Sequence, residues 1–297
     1  MLIYSHWIYQ TWSSFGGEPI NQSNEIQDKS TKPNWNIIWK EAVEKLPKKD
    51  TSKKWNKIAP KFNQWMEKDD YPQELVSKIK IEERDTVLDI GCGNGTITIP
   101  LAKKAESVTA LDISTGMLDI LREKAAKESL SNINIINRGL EDVEADEIGT
   151  HDVVVASRSL NGIADIQPEL EKINEVAQKY VYMTLWGTGN HEFEDKISKL
   201  LGRENHEHPD YTIALNILQE MGVQANVEPL KSNTRNFYSN MEEALDRIEW
   251  RVGELNEDEK NLVKEHLSGV LTKDPDGSLS YSRTSSKWIL IWWEKIN

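Results

Sequence analysis

This chain of 297 residues has little cysteine, no Lys or Arg near its N-terminus and no long apolar run. Cys92 is the single cysteine, so an internal disulfide is impossible and nothing marks an oxidising compartment. The first Lys or Arg is Lys29, so the positive segment of a secretory signal is missing. Apolar runs such as residues 288–293 are far shorter than the ~20 residues of a membrane span. These absences predict a soluble, cytoplasmic protein without membrane contact.

Positive charge is also in deficit, since 36 Lys and Arg stand against 49 Asp and Glu, a net charge of −13. Such a balance repels polyanions at long range and therefore disfavours nucleic acid as a partner. Hydrophobic residues make up 38% of the chain and eleven residues are tryptophan, which is typical of a folded globular protein. A small molecule is the expected substrate, and the oligomeric state stays open.

From residue 86 onward, short apolar segments alternate with amphipathic ones. Repeated strand–helix units of this kind predict a parallel sheet covered by helices on both faces. The final segment, 287–294, is apolar on both faces and should therefore lie inside the same sheet. The other strands are predicted at 87–90, 108–112, 133–137, 152–157, 180–186 and around 224–230.

The chain divides into three predicted regions. Residues 1–50 mix aromatics with glycine, proline and amides, and they are interpreted as an N-terminal aromatic arm. Residues 51–232 and 285–297 are predicted to form the α/β core. Residues 233–284 are predicted to be a helical insertion before the last strand, placed to act as a cap over the substrate.

A glycine-rich turn follows the first predicted strand, with Gly91, Gly93 and Gly95 at every second position. Glycines in this pattern let the backbone turn tightly and approach a ligand. Asp89 precedes them, and its charge disfavours a pyrophosphate at the helix N-terminus but favours a ligand with an ammonium group. The spacing also differs from the GxGxxG of dinucleotide loops. An NAD-dependent oxidoreductase is thus the disfavoured alternative.

Acidic residues follow the next two strands as well. Asp112 ends the second strand, 21 residues after Gly91, where a carboxylate can accept both hydroxyls of a ribose. Residues 137–142 follow the third strand and are placed to meet an adenine. The carboxyl ends of parallel strands share one edge of a sheet, so these segments predict a single crevice for a nucleoside.

Asp89, the three glycines and Asp112 resemble the motifs of the class I S-adenosylmethionine-dependent methyltransferases, over residues 86–187. The resemblance implies a Rossmann-like, doubly wound, mostly parallel sheet with an antiparallel C-terminal strand. It also implies S-adenosyl-L-methionine as the cofactor; for the acidic contact to adenine, Glu141 and Asp142 both remain open. The cofactor-binding residues that we expect are Asp89, Gly91, Cys92, Gly93, Gly95, Asp112, Ile113, Met117, Leu140, Glu141, Ser157 and Arg158.

Residues for the catalytic step are harder to predict from sequence than residues that bind the cofactor. Methyl transfer from a sulfonium is an in-line displacement that requires alignment and exclusion of water, so a general base is optional. No catalytic residue is assigned, and a non-catalytic protein that binds the cofactor remains an alternative. Position along the chain suggests five residues for the substrate pocket, which are Trp55, Phe62, Trp65, Asn161 and Trp186.

Two further candidate sites are disfavoured. His206, His208 and Asp210 invite a metal, but they form no helical i, i+4 pair, and no metal is predicted. A catalytic role for the Cys92 thiol is disfavoured because the sequence marks no partner base.

Overall fold

A computed structural model describes residues 33–46, 51–67, 69–189, 191–204, 207–231, 235–282 and 288–295. Residues 1–32 and 47–50, most of the predicted arm, lie outside this description. The helices are α1 (Trp35–Glu44), α2 (Thr51–Met66), α3 (Tyr71–Lys78), α4 (Thr98–Ala102), α5 (Thr115–Lys127), α6 (Ala145–Ile148), α7 (Ile166–Val176), α8 (Glu192–Leu200), α9 (Tyr211–Glu220), α10 (Met241–Val252) and α11 (Glu257–Val270). The strands are β1 (Thr86–Ile90), β2 (Ser107–Leu111), β3 (Ile133–Ile136), β4 (His151–Ser157), β5 (Ala177–Trp186), β6 (Asn226–Pro229), β7 (Arg235–Tyr238), β8 (Thr272–Lys273), β9 (Leu279–Ser282) and β10 (Trp288–Glu294).

Seven of the strands form one sheet in the order β3-β2-β1-β4-β5-β10-β6. Strands β1 to β5 run parallel, and β10 runs antiparallel to both of its neighbours. The predicted doubly wound sheet with an antiparallel C-terminal strand is therefore confirmed. Strand order reverses between β1 and β4, and a crevice for a ligand opens at such a switch point, beyond the carboxyl ends of the strands.

Strand β10 shows why its sequence is apolar throughout. Successive side chains of a strand point to opposite faces of the sheet. Ile289, Ile291 and Trp293 pack into the core on one face, whereas Trp288 and Leu290 pack into the core on the other. A strand buried on both faces has to be internal, as the pattern at 287–294 predicts, and β10 lies between β5 and β6.

Helix α1 falls inside the segment that the sequence assigns to the arm. Asn34 caps its N-terminus, because its side chain accepts a hydrogen bond from the Ile37 N–H at 3.0 Å. Trp39 is entirely buried in the main core and donates its indole N–H to the Ile163 carbonyl at 2.8 Å. Residues 35–44 are thus part of the α/β core.

The insertion before the last strand contains more than the predicted helices. Besides α10 and α11 it holds a small antiparallel sheet in the order β7-β9-β8. These strands are two to four residues long, too short for a clear alternation in the sequence. Apolar residues of the insertion, such as Ile248 and Val263, form a separate small core with Phe193 and Ile197 of α8.

Candidate active site

The glycine loop, which follows β1 in the chain, is hydrogen-bonded to the end of β2. The backbone N–H groups of Gly91 and Cys92 donate to the Leu111 carbonyl at 2.7 and 3.1 Å. The Gly93 N–H donates to Asp112 Oδ2 at 2.8 Å. Two elements that the sequence analysis identified separately, the loop and the acid after β2, therefore form one structure.

The three glycines are required for different reasons. All have positive φ, at 66°, 54° and 77° for Gly91, Gly93 and Gly95, which is costly for residues with a side chain. A Cβ on Gly91 would lie 2.3 Å from Ser159 Cβ, and one on Gly95 would lie 2.4 Å from Leu121 Cδ1. A Cβ on Gly93 would meet no atom within 4 Å. Packing explains the outer two glycines, whereas the middle one faces open space beside Asp112.

Asp89 lies in β1 under the loop and is 1% exposed. Its Oδ2 accepts a hydrogen bond from the Thr98 hydroxyl at 2.7 Å. Its Oδ1 is buried and has no hydrogen-bond partner among the residues that the structure describes. Burial raises the pKa of this carboxyl to about 7. A buried carboxylate oxygen without a donor is costly, so this position favours a ligand that brings a cationic N–H group.

Asp112 is held with its carboxylate at the mouth of the crevice. Its Oδ1 accepts from the Ser114 N–H at 2.8 Å, and its Oδ2 is the oxygen that accepts from Gly93. Burial raises the pKa of this carboxyl as well. Each carboxylate oxygen can accept more than one hydrogen bond, so both can still receive a hydroxyl group.

An open cavity of about 620 Å³ lies next to Asp112, a size typical of small-molecule sites. Asp142 lines it and Glu141 does not. The Asp142 carboxylate also accepts a hydrogen bond from the Gly139 N–H at 3.3 Å. Glu141 is exposed, and Leu140 packs into the main core. Met117 is buried on α5 and does not line the cavity either. The lining residues are Thr51, Ser52, Ile113, Asn137, Arg138, Gly139 and Asp142.

Helix α2 covers this edge of the sheet and is held there by polar contacts that the sequence does not reveal. Asn56 Oδ1 accepts from the Ser114 hydroxyl at 2.8 Å and from the Gly116 N–H at 2.9 Å. One turn from the other end of the helix, Asn63 Oδ1 accepts from the Asn94 amide at 2.8 Å. Asn94 belongs to the glycine loop and Ser114 follows Asp112 by two residues, so α2 spans the crevice.

The aromatic residues predicted on α2 face the insertion. Trp55 packs edge to face against Phe62 and against Trp250 of α10, with ring centroids 5.5 and 5.0 Å apart. Trp65 is 9% exposed, and the Arg247 guanidinium of α10 lies 5.2 Å from its ring. These contacts join the covering helix to the insertion before the last strand.

A buried polar network follows strands β4 and β5. The Tyr71 hydroxyl lies 2.8 Å from Ser157 Oγ and 2.6 Å from Thr184 Oγ1. The Arg158 guanidinium lies over the Tyr71 ring at 4.1 Å and forms an ion pair with Asp69 at 2.9 Å. Ser157 and Arg158, predicted as cofactor contacts, are thus engaged by residues at the start of α3. Tyr71 and Asp69 carry no motif and were missed.

Asn161 and Trp186 meet at the same edge of the sheet. Asn161 Oδ1 accepts from the Trp186 backbone N–H at 3.2 Å. The indole of Trp186 packs edge to face against the rings of His191 and His208, whose centroids are 3.7 Å apart. The two predicted pocket residues are therefore brought together, and two histidines join them.

The structure describes Cys92 and most of the histidine-rich segment near residue 208. Burial raises the pKa of the Cys92 thiol well above its usual value, which opposes formation of a reactive thiolate. Among the described residues, no group of three His, Cys, Asp or Glu side chains could hold a metal ion. His206 lies outside the described residues. No helix in the described ranges is long and apolar enough to cross a membrane.

The chain is similar to several known proteins. Residues 87–179 match the model of a methyltransferase-domain family. An uncharacterized protein of Haemophilus influenzae is 33% identical over 243 residues, which are 81% of this chain and 88% of that protein. The ubiquinone biosynthesis O-methyltransferase of Rickettsia typhi is 31% identical over 97 residues, 31% of this chain and 38% of that enzyme. The ribosomal RNA small subunit methyltransferase A of Desulforapulum autotrophicum is 39% identical over 66 residues, 22% of this chain and 23% of that enzyme.

Solved structures share the fold. The YcgJ protein of Bacillus subtilis aligns with a TM-score of 0.52 at 14% identity, covering 76% of this chain and 98% of that one. The strand order, the glycine loop and the acid after β2 define a Rossmann-like α/β protein with a crevice at the switch point of its sheet. The chain belongs to the class I S-adenosylmethionine-dependent methyltransferases, as the sequence motifs imply. It is therefore a methyltransferase. The fold does not determine which molecule accepts the methyl group.

Proposed function

We propose that the chain binds S-adenosyl-L-methionine at the carboxyl edge of β1 and β2 and transfers its methyl group to a small-molecule acceptor. The unpaired, buried Oδ1 of Asp89 carries this proposal, because it lies under the glycine loop where a ligand ammonium would supply the missing donor. Thr98 holds the other oxygen of the same carboxyl, which fixes the direction of the free one.

The remaining residues fit the rest of the cofactor. The two oxygens of Asp112 would accept the ribose hydroxyls, and open space beside Gly93 lets the ligand approach the backbone. Ile113, Gly139 and Asp142 would receive the adenine in the cavity that they line. A Cβ on Gly139 would lie 2.9 Å from Asp142 Oδ2 and 3.0 Å from Ile113 Cγ2, so the close packing of these two cavity-lining side chains leaves no room for a side chain at position 139.

When bound, the cofactor supplies an electrophilic methyl group with its leaving group attached, so the reaction is an in-line displacement. The protein has to align the acceptor and exclude water. Helix α2 is suited to the second task because Asn56 and Asn63 hold it over both the ribose side and the glycine loop. We infer that residues 233–284 act with α2 as a cap, supported by the contacts of Trp250 and Arg247 with Trp55 and Trp65.

The net charge of −13 supports a small-molecule acceptor rather than an RNA. The ribosomal RNA methyltransferase among the relatives does not fit this view, but the match spans less than a quarter of that enzyme. The single cysteine, Cys92, supports the cytoplasm as the compartment.

Calorimetry with S-adenosylmethionine and with NAD tests the cofactor, and formation of S-adenosylhomocysteine with pooled small molecules or with total RNA tests the acceptor class. We expect one S-adenosylmethionine site, no NAD binding and turnover with small molecules. Binding of NAD alone would refute the cofactor, turnover with RNA alone would refute the acceptor class, and binding without any turnover would favour a non-catalytic role.

A further inference from the structure

Two buried hydrogen-bond donors next to the proposed methyl-transfer site have no use in cofactor binding. They are Asn161 Nδ2 and Trp186 Nε1, and neither atom has a partner among the described residues. Asn161 follows β4 in a short turn at Leu160–Gly162, and Trp186 ends β5. Both therefore lie at the carboxyl edge of the sheet, on the β4 side of the switch point, whereas Asp112 lies on the β2 side.

The orientation of the Asn161 amide is fixed. Its Oδ1 accepts from the Trp186 backbone N–H at 3.2 Å, so the NH₂ group is the end left without a partner. The residue is only 5% exposed, which removes most contact with water. A buried donor without a partner is costly, and only a few per hundred residues occur in folded proteins, so each one requires an explanation.

The surroundings of the two donors are aromatic. The Trp186 indole contacts the imidazoles of His191 and His208 at 4.2 and 5.0 Å between ring centroids, and it lies 6.2 Å from Trp288. The Arg158 guanidinium lies 5.8 Å from the same Trp288 ring. Flat rings favour a planar ligand, and two buried N–H donors favour a ligand with an electron-rich oxygen.

We propose that the methyl acceptor is a planar molecule bearing a carbonyl or carboxylate oxygen, and that Asn161 Nδ2 and Trp186 Nε1 donate hydrogen bonds to that oxygen. This inference rests on the proposed function, since it names the acceptor of the same site. Because both donors are buried, binding requires the imidazoles of His191 and His208 to move from the indole that they contact. Asn161 and Trp186 are then specificity-determining residues.

The indole N–H signal of Trp186 in a ¹H–¹⁵N NMR spectrum of the full chain reports directly on one donor. We expect it to shift downfield during titration with benzoate or with acetophenone, and to stay fixed with benzylamine, which carries a ring but no oxygen. A larger shift with benzoate would identify a carboxylate acceptor, and a larger one with acetophenone a neutral carbonyl. The Trp186→Phe variant assigns the signal by its disappearance.

Three variants show whether Asn161 and Trp186 bind the probe directly or only maintain the fold. Asn161→Asp keeps the oxygen that accepts from the Trp186 backbone but removes the NH₂ donor, so the Kd of acetophenone should rise at least tenfold. Trp186→Phe removes the indole donor and should raise that Kd as well. Trp292→Phe is the matched control, because it removes an indole from β10 opposite Tyr182, away from the Trp288 end that pairs with Trp186, and should leave probe binding unchanged.

An indole signal that stays fixed with all three probes, or that moves equally with benzylamine, would overturn the proposal. Acetophenone binding unchanged in both site variants would also overturn it, and if Asn161→Asp fails to fold, the wild-type titration and Trp186→Phe decide. S-adenosylmethionine affinity, measured on the same samples, should be equal in all variants. Loss of cofactor binding in the wild type would refute the proposed function, whereas the probe titrations test the oxygen site by themselves.

Discussion

Acid should weaken the binding of S-adenosylmethionine, because the carboxyl of Asp89 has to be ionised to attract the ligand ammonium. Burial raises the pKa of Asp89 to about 7, far above the usual value of 3.8 for this side chain. A nearby ammonium favours the ionised form and lowers this pKa in the complex. The complex therefore holds fewer protons than the free protein, and affinity falls as the pH is lowered through the pKa of the free protein.

The size of the effect follows from the protonated fraction. With a pKa of about 7 in the free protein and a much lower one in the complex, the apparent Kd scales as 1 + 10^(pKa − pH). This factor is about 2 at pH 7 and about 11 at pH 6, so the Kd should rise about fivefold between them. The ligand contributes little over this interval, because α-amino groups titrate near 7.7–8.0.

Isothermal titration calorimetry measures both the Kd and the protons released. At pH 7, repeated titrations in buffers of different ionisation enthalpy should show a net release of roughly 0.3–0.4 of a proton per ligand bound, because uptake by the ligand amino group partly offsets the release from Asp89. Asp89→Asn is the matched control, because its amide oxygen can still accept from Thr98 while its side chain does not titrate. Its Kd should be weaker and independent of pH between 6 and 7. A wild-type Kd that stays constant or improves toward pH 6 would refute this role for Asp89.

The other predictions concern the loop, the ribose acid and the covering helix. Asp112→Ala should weaken S-adenosylmethionine binding by several-fold to a hundredfold, about 1–3 kcal/mol, with unchanged circular dichroism; unaltered affinity would contradict the ribose assignment. Gly95→Ala should lower the free energy of unfolding by roughly 2–4 kcal/mol through contact with Leu121, whereas Gly93→Ala should cost only about 1–2 kcal/mol of backbone strain and yet impair cofactor binding. Equal denaturation midpoints for the two glycine variants would refute that distinction. Asn56→Ala should cost about 1–3 kcal/mol in urea unfolding by removing the acceptor for Ser114 and Gly116; a wild-type midpoint would argue against this anchoring of α2.

The central sheet is predictable from sequence because its strands are short, apolar and separated by amphipathic helices. Strand β10 is the clearest case, since its two faces enter two different cores. Helix α1 was missed because its single fully buried residue, Trp39, gives no sustained period. Strands β7 to β9 were missed because each is too short to show alternation, so their pairing depends on contacts with one another.

In the candidate site too, residues that belong to a local sequence pattern could be predicted, whereas residues placed by tertiary contacts could not. The positions of Asp89 and Asp112 in the site could be predicted from local spacing, because the loop geometry requires glycines and acids at fixed distances in sequence from the strand ends. Tyr71 is 113 residues from Thr184, to which its hydroxyl is hydrogen-bonded, so no local pattern could reveal the pair. The partner of Arg158 is equally remote, since Asp69 lies 89 residues away. Spacing predicts the side of the site that would bind a nucleoside, whereas tertiary packing determines the side that would receive an acceptor.

A crystal structure with S-adenosylhomocysteine tests the central claim most directly. We expect ribose hydroxyls within about 2.5–3.0 Å of the Asp112 oxygens, adenine in the cavity that Ile113 and Asp142 line, and the ligand ammonium on the side of Asp89. A ligand bound elsewhere, or one whose ribose does not contact Asp112, would contradict it.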